Sequence, residues 1–290
     1  LYLACRDPDG PLHYADKLCR EFEQYQAQHY PEVRLRVRMG VYAIEPDCPS
    51  ASAAIDKANF ARKQVRSSDS RAPAILYDKT LGTKQALTGE LLNGLSQAME
   101  NGEFKLYLQP KFNPKDFSVI GAEALTRWVK PDGTIVYPDQ FIPILESIGR
   151  IVELDLYMFD QVAQFLARNA QAGHRLLPIA VNASVVLARE DQPTQGYSEI
   201  LERHNISARM LEIELTETAV VSEYDRVKRL LTSFQNNGMQ TSLDDFGAGY
   251  SVLNSVVDIP VNTIKLDRLF LTRCISNPRG TSLLREIVQM

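Results

Sequence analysis

The sequence predicts an α/β fold in which strands alternate with helices to build a largely parallel sheet or barrel, preceded by a smaller α/β region. Three observations lead there. From Phe104 onward, short apolar runs of strand length alternate with stretches of helical periodicity, the pattern of βα units. Several of these runs end in a carboxylate, an amide or a lysine, and strand ends are where barrel enzymes keep their chemistry. Before Asp78 the pattern is different, with one strict two-residue alternation and a single helix, so the chain divides into residues 1–80 and 81–290.

The elements follow in order. Val33 to Met39 reads V-R-L-R-V-R-M, which predicts a strand with one buried face and a row of arginines on the other. That row reads as a solvated face, with a phosphate site as the alternative. A helix begins at about Ser52 as N-cap, carries Ile55, Ala58, Phe60 and Ala61 at near-helical spacing, and ends in the polar run Ser67-Ser68-Asp69-Ser70. Ala74 to Tyr77 reads as a strand and Asp78 to Lys84 as the boundary. The next helix sets Leu91, Leu92, Leu95, Ala98 and Met99 on one face. The strands beyond it are Phe104 to Gln109, Ser118 to Ala124, Leu177 to Val181, Leu211 to Leu215, Met239 to Leu243 and Thr263 to Leu266. Among the intervening helices, Ser222 to Asn237 opens on a Ser-x-x-Asp capping pattern and stops at Gly238.

Composition limits the function classes. A chain of 290 residues with 44% apolar content can bury a sizeable core. With 32 basic against 36 acidic residues, the net charge of −4 offers no general attraction to a nucleic-acid polymer or an anionic membrane. Cys5, Cys19, Cys48 and Cys274 are scattered without a C-x-x-C pair, which fits a reducing, cytoplasmic setting, although the parent protein can be membrane-anchored. Apolar runs such as Leu176 to Val181 fall far short of the roughly 20 residues a membrane helix needs, so no membrane contact is expected from this segment. The first residue, Leu1, and the helical run Leu283 to Met290 read as cut ends, so a fragment is expected.

The strand ends carry the chemistry: Glu123, Asn182, Glu214, Asp244 with Asp245, and Lys265. Singly, each has a plain explanation as a turn, an ion pair or a surface residue. Together, on a βα barrel, they converge on one rim and crowd carboxylates that require cations. Oxygen-only donors select Mg²⁺, Mn²⁺ or Ca²⁺ over zinc, and the adjacent Asp244-Asp245 pair suits two ions. His13, His29, His174 and His204 lie away from the strand ends and form no H-x-x-x-H spacing, which argues against a zinc or histidine acid-base site.

Glu123-Ala124-Leu125 followed by Arg127-Trp128 resembles the signature of the EAL domain. Leu106 to Pro110 is similar to that family's opening Y-x-Q-P strand, and Phe141-Ile142-Pro143 with Glu146 to its F-I-P-x-x-E helix. Val181 to Ser184, Glu214 to Glu217, Asp244 to Ser251 and Ile264 to Asp267 resemble its asparagine motif, its E-x-T-E, its D-D-F-G-[TA]-G-Y-S loop and its K-I-D strand, in order, across roughly residues 88–290.

The resemblance implies an EAL-type, TIM-like (β/α) barrel that hydrolyses cyclic di-GMP to the linear dinucleotide with two ions, Mg²⁺ or Mn²⁺. Glu123, Asn182, Glu214 and Asp244 would hold one ion, and Asp244 with Asp245 the other. Lys265 would position or activate the attacking water, Gln109 and Arg127 would hold substrate, and Glu217 would anchor the Asp244 to Ser251 loop. Glu123, Asp244 and Lys265 are thus the catalytic expectation. The family's barrel continues past Met290 with two more strands that bring a further metal-binding glutamate and a substrate-facing glutamine, so an incomplete barrel is expected here. Asn262, where the family usually has aspartate, and Val252 for a serine are smaller departures.

The first region resembles the second half of a GGDEF domain, through Met39-Gly40-Val41 and the Asp56 to Lys63 helix. It lacks the G-G-D-E-F turn, and Arg38, Met39, Asn59 and Arg62 depart from the pattern, so a regulatory or structural role rather than cyclase activity is implied. Pairing of family members through their barrels implies a homodimer. The alternatives are a receptor that binds cyclic di-GMP without cleaving it, a degenerate interaction module, and an unrelated sugar-phosphate hydrolase.

Overall fold

A computed structural model describes residues 10–33, 35–65, 73–248 and 258–289. The chain forms two compact units, Leu1–Asn93 and Gly94–Met290.

In the first unit, helix α1 (Gly10–His29) buries Ala15, Cys19 and Gln26. Strand β1 (Met39–Val41) pairs in parallel with β2 (Ala74–Leu76), in the register Met39 to Ala74. Between them runs α2 (Ala51–Gln64), whose N-cap is Ser50: its hydroxyl accepts from the Ala53 amide at 3.1 Å. The cap thus lies two residues before the Ser52 that the pattern picks out. Gly40 on β1 is required by packing, because a Cβ there would overlap the Ala58 carbonyl oxygen on α2.

The Val33 to Met39 strand does not form as expected. Among its described residues only Met39 joins a ladder, and Val33 and Leu35 are 52% and 53% exposed. Alternation specifies a buried face only where a sheet is present to receive it, and β2 offers three residues. Arg38 instead donates to the Val65 carbonyl at 3.2 Å. Arg34 and the run Ser67 to Ser70 lie outside the described residues.

Helix α3 (Lys79–Glu100) contains most of the stretch read as a boundary, and the division between units falls inside it. Leu91, Leu95 and Ala98 are buried, but Leu92 is half-exposed, since it follows Leu91 by about 100° around the helix axis.

The second unit is built on one sheet, in the order β3 (Phe104–Phe112), β4 (Val119–Val129), β6 (Ile179–Asn182), β7 (Leu211–Thr216), β8 (Gln240–Phe246), β9 (Thr263–Leu266), with β5 (Ile135–Val136) on β4. From β4 through β9 the main ladder is parallel. The β3–β4 and β4–β5 pairs are antiparallel, a hairpin entry that the βα pattern does not announce. Among the described residues no ladder joins β3 to β9.

The helices are α4 (Pro138–Ser147), α5 (Ile151–Gln171), α6 (Gln195–His204), α7 (Glu217–Ser222), α8 (Tyr224–Asn236), α9 (Arg268–Ile275) and α10 (Pro278–Gln289). The core packs Val162 and Leu166 of α5, and Val227, Leu231 and Phe234 of α8, with Val181, Ile213, Leu215 and Leu243 of the strands. Because successive strand residues point to opposite faces, burying Ile213 and Leu215 under helices turns Glu212 and Glu214 to the other face of β7. That single fact positions the site.

The expected helix Ser222 to Asn237 is two helices broken at Glu223, whose backbone is non-helical, with φ of −142° and ψ of 49°. Ser222 does not cap; its hydroxyl donates to the Ala219 carbonyl at 2.9 Å. The Glu223 carboxylate is held by Arg189 and Arg226, which depress its pKa to about 2. Gly238 does end α8, with φ of +83°.

Candidate active site

Three strands deliver one carboxylate each. Glu123 lies on β4, Glu214 on β7 and Asp244 on β8, and their oxygens come within 4.8 Å of one another. The register shows how they converge: Glu123 pairs with Ala180, Asn182 with Glu214, and Thr216 with Asp244, so the three carboxylates step along the ladders by even numbers of residues and all stay on the same face of the sheet.

Lys265 on β9 completes the cluster. Its Nζ donates to Glu123 Oε2 at 2.8 Å, Glu214 Oε2 at 2.9 Å and Asp244 Oδ2 at 3.0 Å. Burial works against its charge, but the three carboxylates outweigh it and hold its pKa well above the usual lysine value. Glu214, with no exposed side-chain surface, is pushed up by burial, with the Lys265 hydrogen bond acting in the opposite direction. Asn182 joins at the rim, its Nδ2 donating to Glu123 Oε1 at 3.3 Å.

Asp245 stands beside the cluster rather than in it. Its backbone has φ of +56°, and its amide donates to Asp244 Oδ1 at 2.8 Å. Burial and then the neighbouring Asp244 charge raise its pKa. Gln109 pairs with Glu123 across the β3–β4 hairpin, and Arg127 shares the Glu123 face of β4 at a spacing of four residues. Arg127 Nη1 donates to the Thr126 carbonyl at 2.8 Å, and its guanidinium lies 5.7 Å from the Tyr137 ring centre.

Glu217 is buried at the start of α7, and its Oε2 accepts from the Gly247 amide at 2.7 Å, tying the turn after β8 to the end of β7. Gly249 to Val252 of the following loop lie outside the described residues.

The EAL domain profile matches residues 92–290. The chain belongs to the EAL domain family. Among its relatives, the Pseudomonas aeruginosa protein MucR, described as a bifunctional diguanylate cyclase/cyclic di-GMP phosphodiesterase, is 26% identical over 100% of this chain and 42% of its own length. The Escherichia coli cyclic di-GMP phosphodiesterase PdeR is 31% identical over 67% of this chain and 29% of its own. The chain therefore spans less than half the length of these relatives. A solved structure described as the PaMucR phosphodiesterase in complex with c-di-GMP superposes with a TM-score of 0.61 and 30% identity, over 69% of this chain and 81% of that one. The Pseudomonas aeruginosa FimX EAL domain bound to c-di-GMP has the same fold at 20% identity and a TM-score of 0.61, over 69% of this chain and 80% of that one.

Within this EAL domain, the β6 asparagine is steadied by groups the sequence reading left unassigned. Ser184, two residues on, donates its hydroxyl to Glu146 Oε1 of α4 at 2.7 Å and its amide to Asp155 Oδ2 of α5 at 2.9 Å. Burial drives the Asp155 pKa up to about 7. Asn262 substitutes smoothly for the family's usual aspartate: its Oδ1 accepts from the Thr241 amide at 2.9 Å.

Two further residues escaped the sequence reading. Lys111 Nζ lies 3.0 Å from Glu214 Oε1 and 3.3 Å from Glu212 Oε2. Two-residue periodicity was the available signal, since Lys111 shares the Gln109 face of β3 and Glu212 the Glu214 face of β7.

Proposed function

We propose that this chain carries the phosphodiesterase of a cyclic di-GMP signalling protein, hydrolysing the cyclic dinucleotide to its linear form with two Mg²⁺ or Mn²⁺ ions. The observation that carries the reading is the meeting of Glu123, Glu214 and Asp244 within 4.8 Å, from three separate strands, around an ammonium group. Membership of the EAL family and the printed activities of MucR and PdeR support it.

The donor set fits hard divalent ions. It offers carboxylate oxygens and the neutral amide oxygen of Asn182, with neither thiolate nor imidazole in the group. That Lys265 is drawn into contact with all three carboxylates indicates how strongly the cluster requires positive charge. In this reading Glu123, Asn182, Glu214 and Asp244 hold one ion, and Asp244 with Asp245 the other. When bound, the ions supply charge that attracts the phosphodiester and stabilises in-line displacement.

The chain's own residues do the rest. Lys265 Nζ, hydrogen-bonded to three ligands, is placed to orient the attacking water and to shield ligand charge. Gln109 and Arg127, on the same inner face as Glu123, grip the substrate, with the guanidinium matched to a phosphate. Glu217 fixes the turn carrying Asp244 and Asp245 through Gly247. In this reading the sheet belongs to a TIM-like barrel, the first unit has a GGDEF-like regulatory role, and the protein is a cytoplasmic homodimer.

The test is incubation of protein carrying this chain with cyclic di-GMP and Mg²⁺ or Mn²⁺, with products separated by chromatography. Linear dinucleotide is expected from the parent and at least about 100-fold less from Glu123→Ala. Cyclic di-GMP that is bound by the parent but left intact would refute hydrolysis and favour a receptor.

A further inference from the structure

Lys111 takes no part in the chemistry just described, yet it forms ion pairs with two largely buried carboxylates, Glu214 with no exposed side-chain surface and Glu212 at 14%. The consequence lies in how Glu214 is divided. Its Oε2 faces Lys265 at 2.9 Å, together with Glu123 and Asp244, while its Oε1 faces Lys111 at 3.0 Å.

We propose that Lys111 sets the ion selectivity of the cluster, disfavouring large divalent ions by engaging one oxygen of Glu214 and leaving the other to coordinate alone. The proposal rests on the metal site of the phosphodiesterase reading and adds its specificity determinant. An ion held by Glu123, Glu214 and Asp244 meets Glu214 through Oε2, the oxygen on their side. Using both oxygens at once would require Oε1 to leave the Lys111 ammonium.

That requirement weighs unequally on different ions. Mg²⁺ needs strict octahedral geometry and is satisfied by single carboxylate oxygens and water, so it loses little. Ca²⁺ takes more ligands at longer distances and gains from carboxylates that bind through both oxygens, so it loses more. Glu212 explains why the lysine stays in place. One of its oxygens, Oε1, is buried without a hydrogen-bond partner, and Lys111 is the cation on the other, so moving Lys111 away would strand a second buried charge.

Two variants test this. Lys111→Met frees Glu214 Oε1 directly. Lys111→Met combined with Glu212→Leu frees it while removing the carboxylate that the lysine neutralises, which preserves the charge balance and the fold. Mg²⁺ and Ca²⁺ are titrated separately by calorimetry into the parent chain and the variants, with circular dichroism to establish folding. The expected result is that the affinity for Ca²⁺ relative to Mg²⁺ rises about tenfold in the double variant, and in the same direction in Lys111→Met. A folded double variant whose ratio stays within about twofold of the parent's overturns the role of Lys111 and leaves the metal site standing. A parent chain that binds neither ion overturns both.

Discussion

Replacing Lys265 by methionine removes an ammonium that touches Glu123, Glu214 and Asp244 at 2.8, 2.9 and 3.0 Å, while keeping an unbranched side chain of similar bulk. Glu214 has no exposed side-chain surface, and Glu123 and Asp244 are 18% and 21% exposed, so water can do little to replace the lost charge. Removing one partner from a buried ion pair costs about 3–5 kcal/mol. For a unit of this size that corresponds to a fall in Tm of roughly 6–20 °C. The loss should depend on metal, because a divalent cation captured by the three carboxylates supplies the missing charge. Thermal unfolding followed by circular dichroism, in EDTA and again in excess MgCl₂, is the assay. Lys265→Met should lose stability in EDTA and recover more than half of the loss in Mg²⁺, whereas the parent gains much less. A variant as stable as the parent in EDTA, or one equally destabilised with and without Mg²⁺, would refute the view that Lys265 stands in the position of a cation.

Two further outcomes follow from the packing. The Asp155 pKa of about 7 lies above that of the unfolded chain, so the folded state holds the proton more tightly. Its contribution is fully present below the unfolded value and is lost as pH rises from about 4 to about 7, by up to about 4 kcal/mol. Asp155→Asn, still able to accept from the Ser184 amide, should flatten that part of a urea-unfolding pH profile; an unchanged slope would count against burial as the cause. In the first unit, Gly40→Ala forces a methyl group into the α2 backbone at Ala58, at a cost of about 1–3 kcal/mol. Hydrogen exchange should accelerate in α2 and β1, and unchanged protection there would show that the contact is looser than described.

The legible parts of the fold are those encoded over a few neighbouring residues. The run leading to Asn182 is nearly continuously apolar, and in those leading to Glu214 and Asp244 the apolar residues Leu211, Ile213 and Leu243 mark the helix-facing side, so that the polar residues of the other face stand out. Gly238 announced the end of α8 because only glycine adopts φ of +83° without strain. The misread elements are those settled by distant partners. Alternation in Val33 to Met39 looks like a strand, but β2 is too short to pair with it. The break at Glu223 is accompanied by an ion pair to Arg189, 34 residues earlier, which no local capping pattern contains. The β3–β4 hairpin is antiparallel although its strands look like any other in a βα series.

By itself, the sequence determined which residues were available for chemistry: the carboxylates, the asparagine and the lysine stand out among apolar neighbours because hydrophobic periodicity fixes which face each strand buries. Only the tertiary structure decided their grouping. Glu123 and Lys265 are separated by 142 residues yet share a hydrogen bond, and Asp245 stands outside the carboxylate cluster that its neighbour Asp244 joins. It also decided that Glu214 is divided between Lys265 and Lys111. The reason is that strand register, not strand identity, sets the height of each side chain on the inner face, and register is fixed by ladders between segments far apart in the chain.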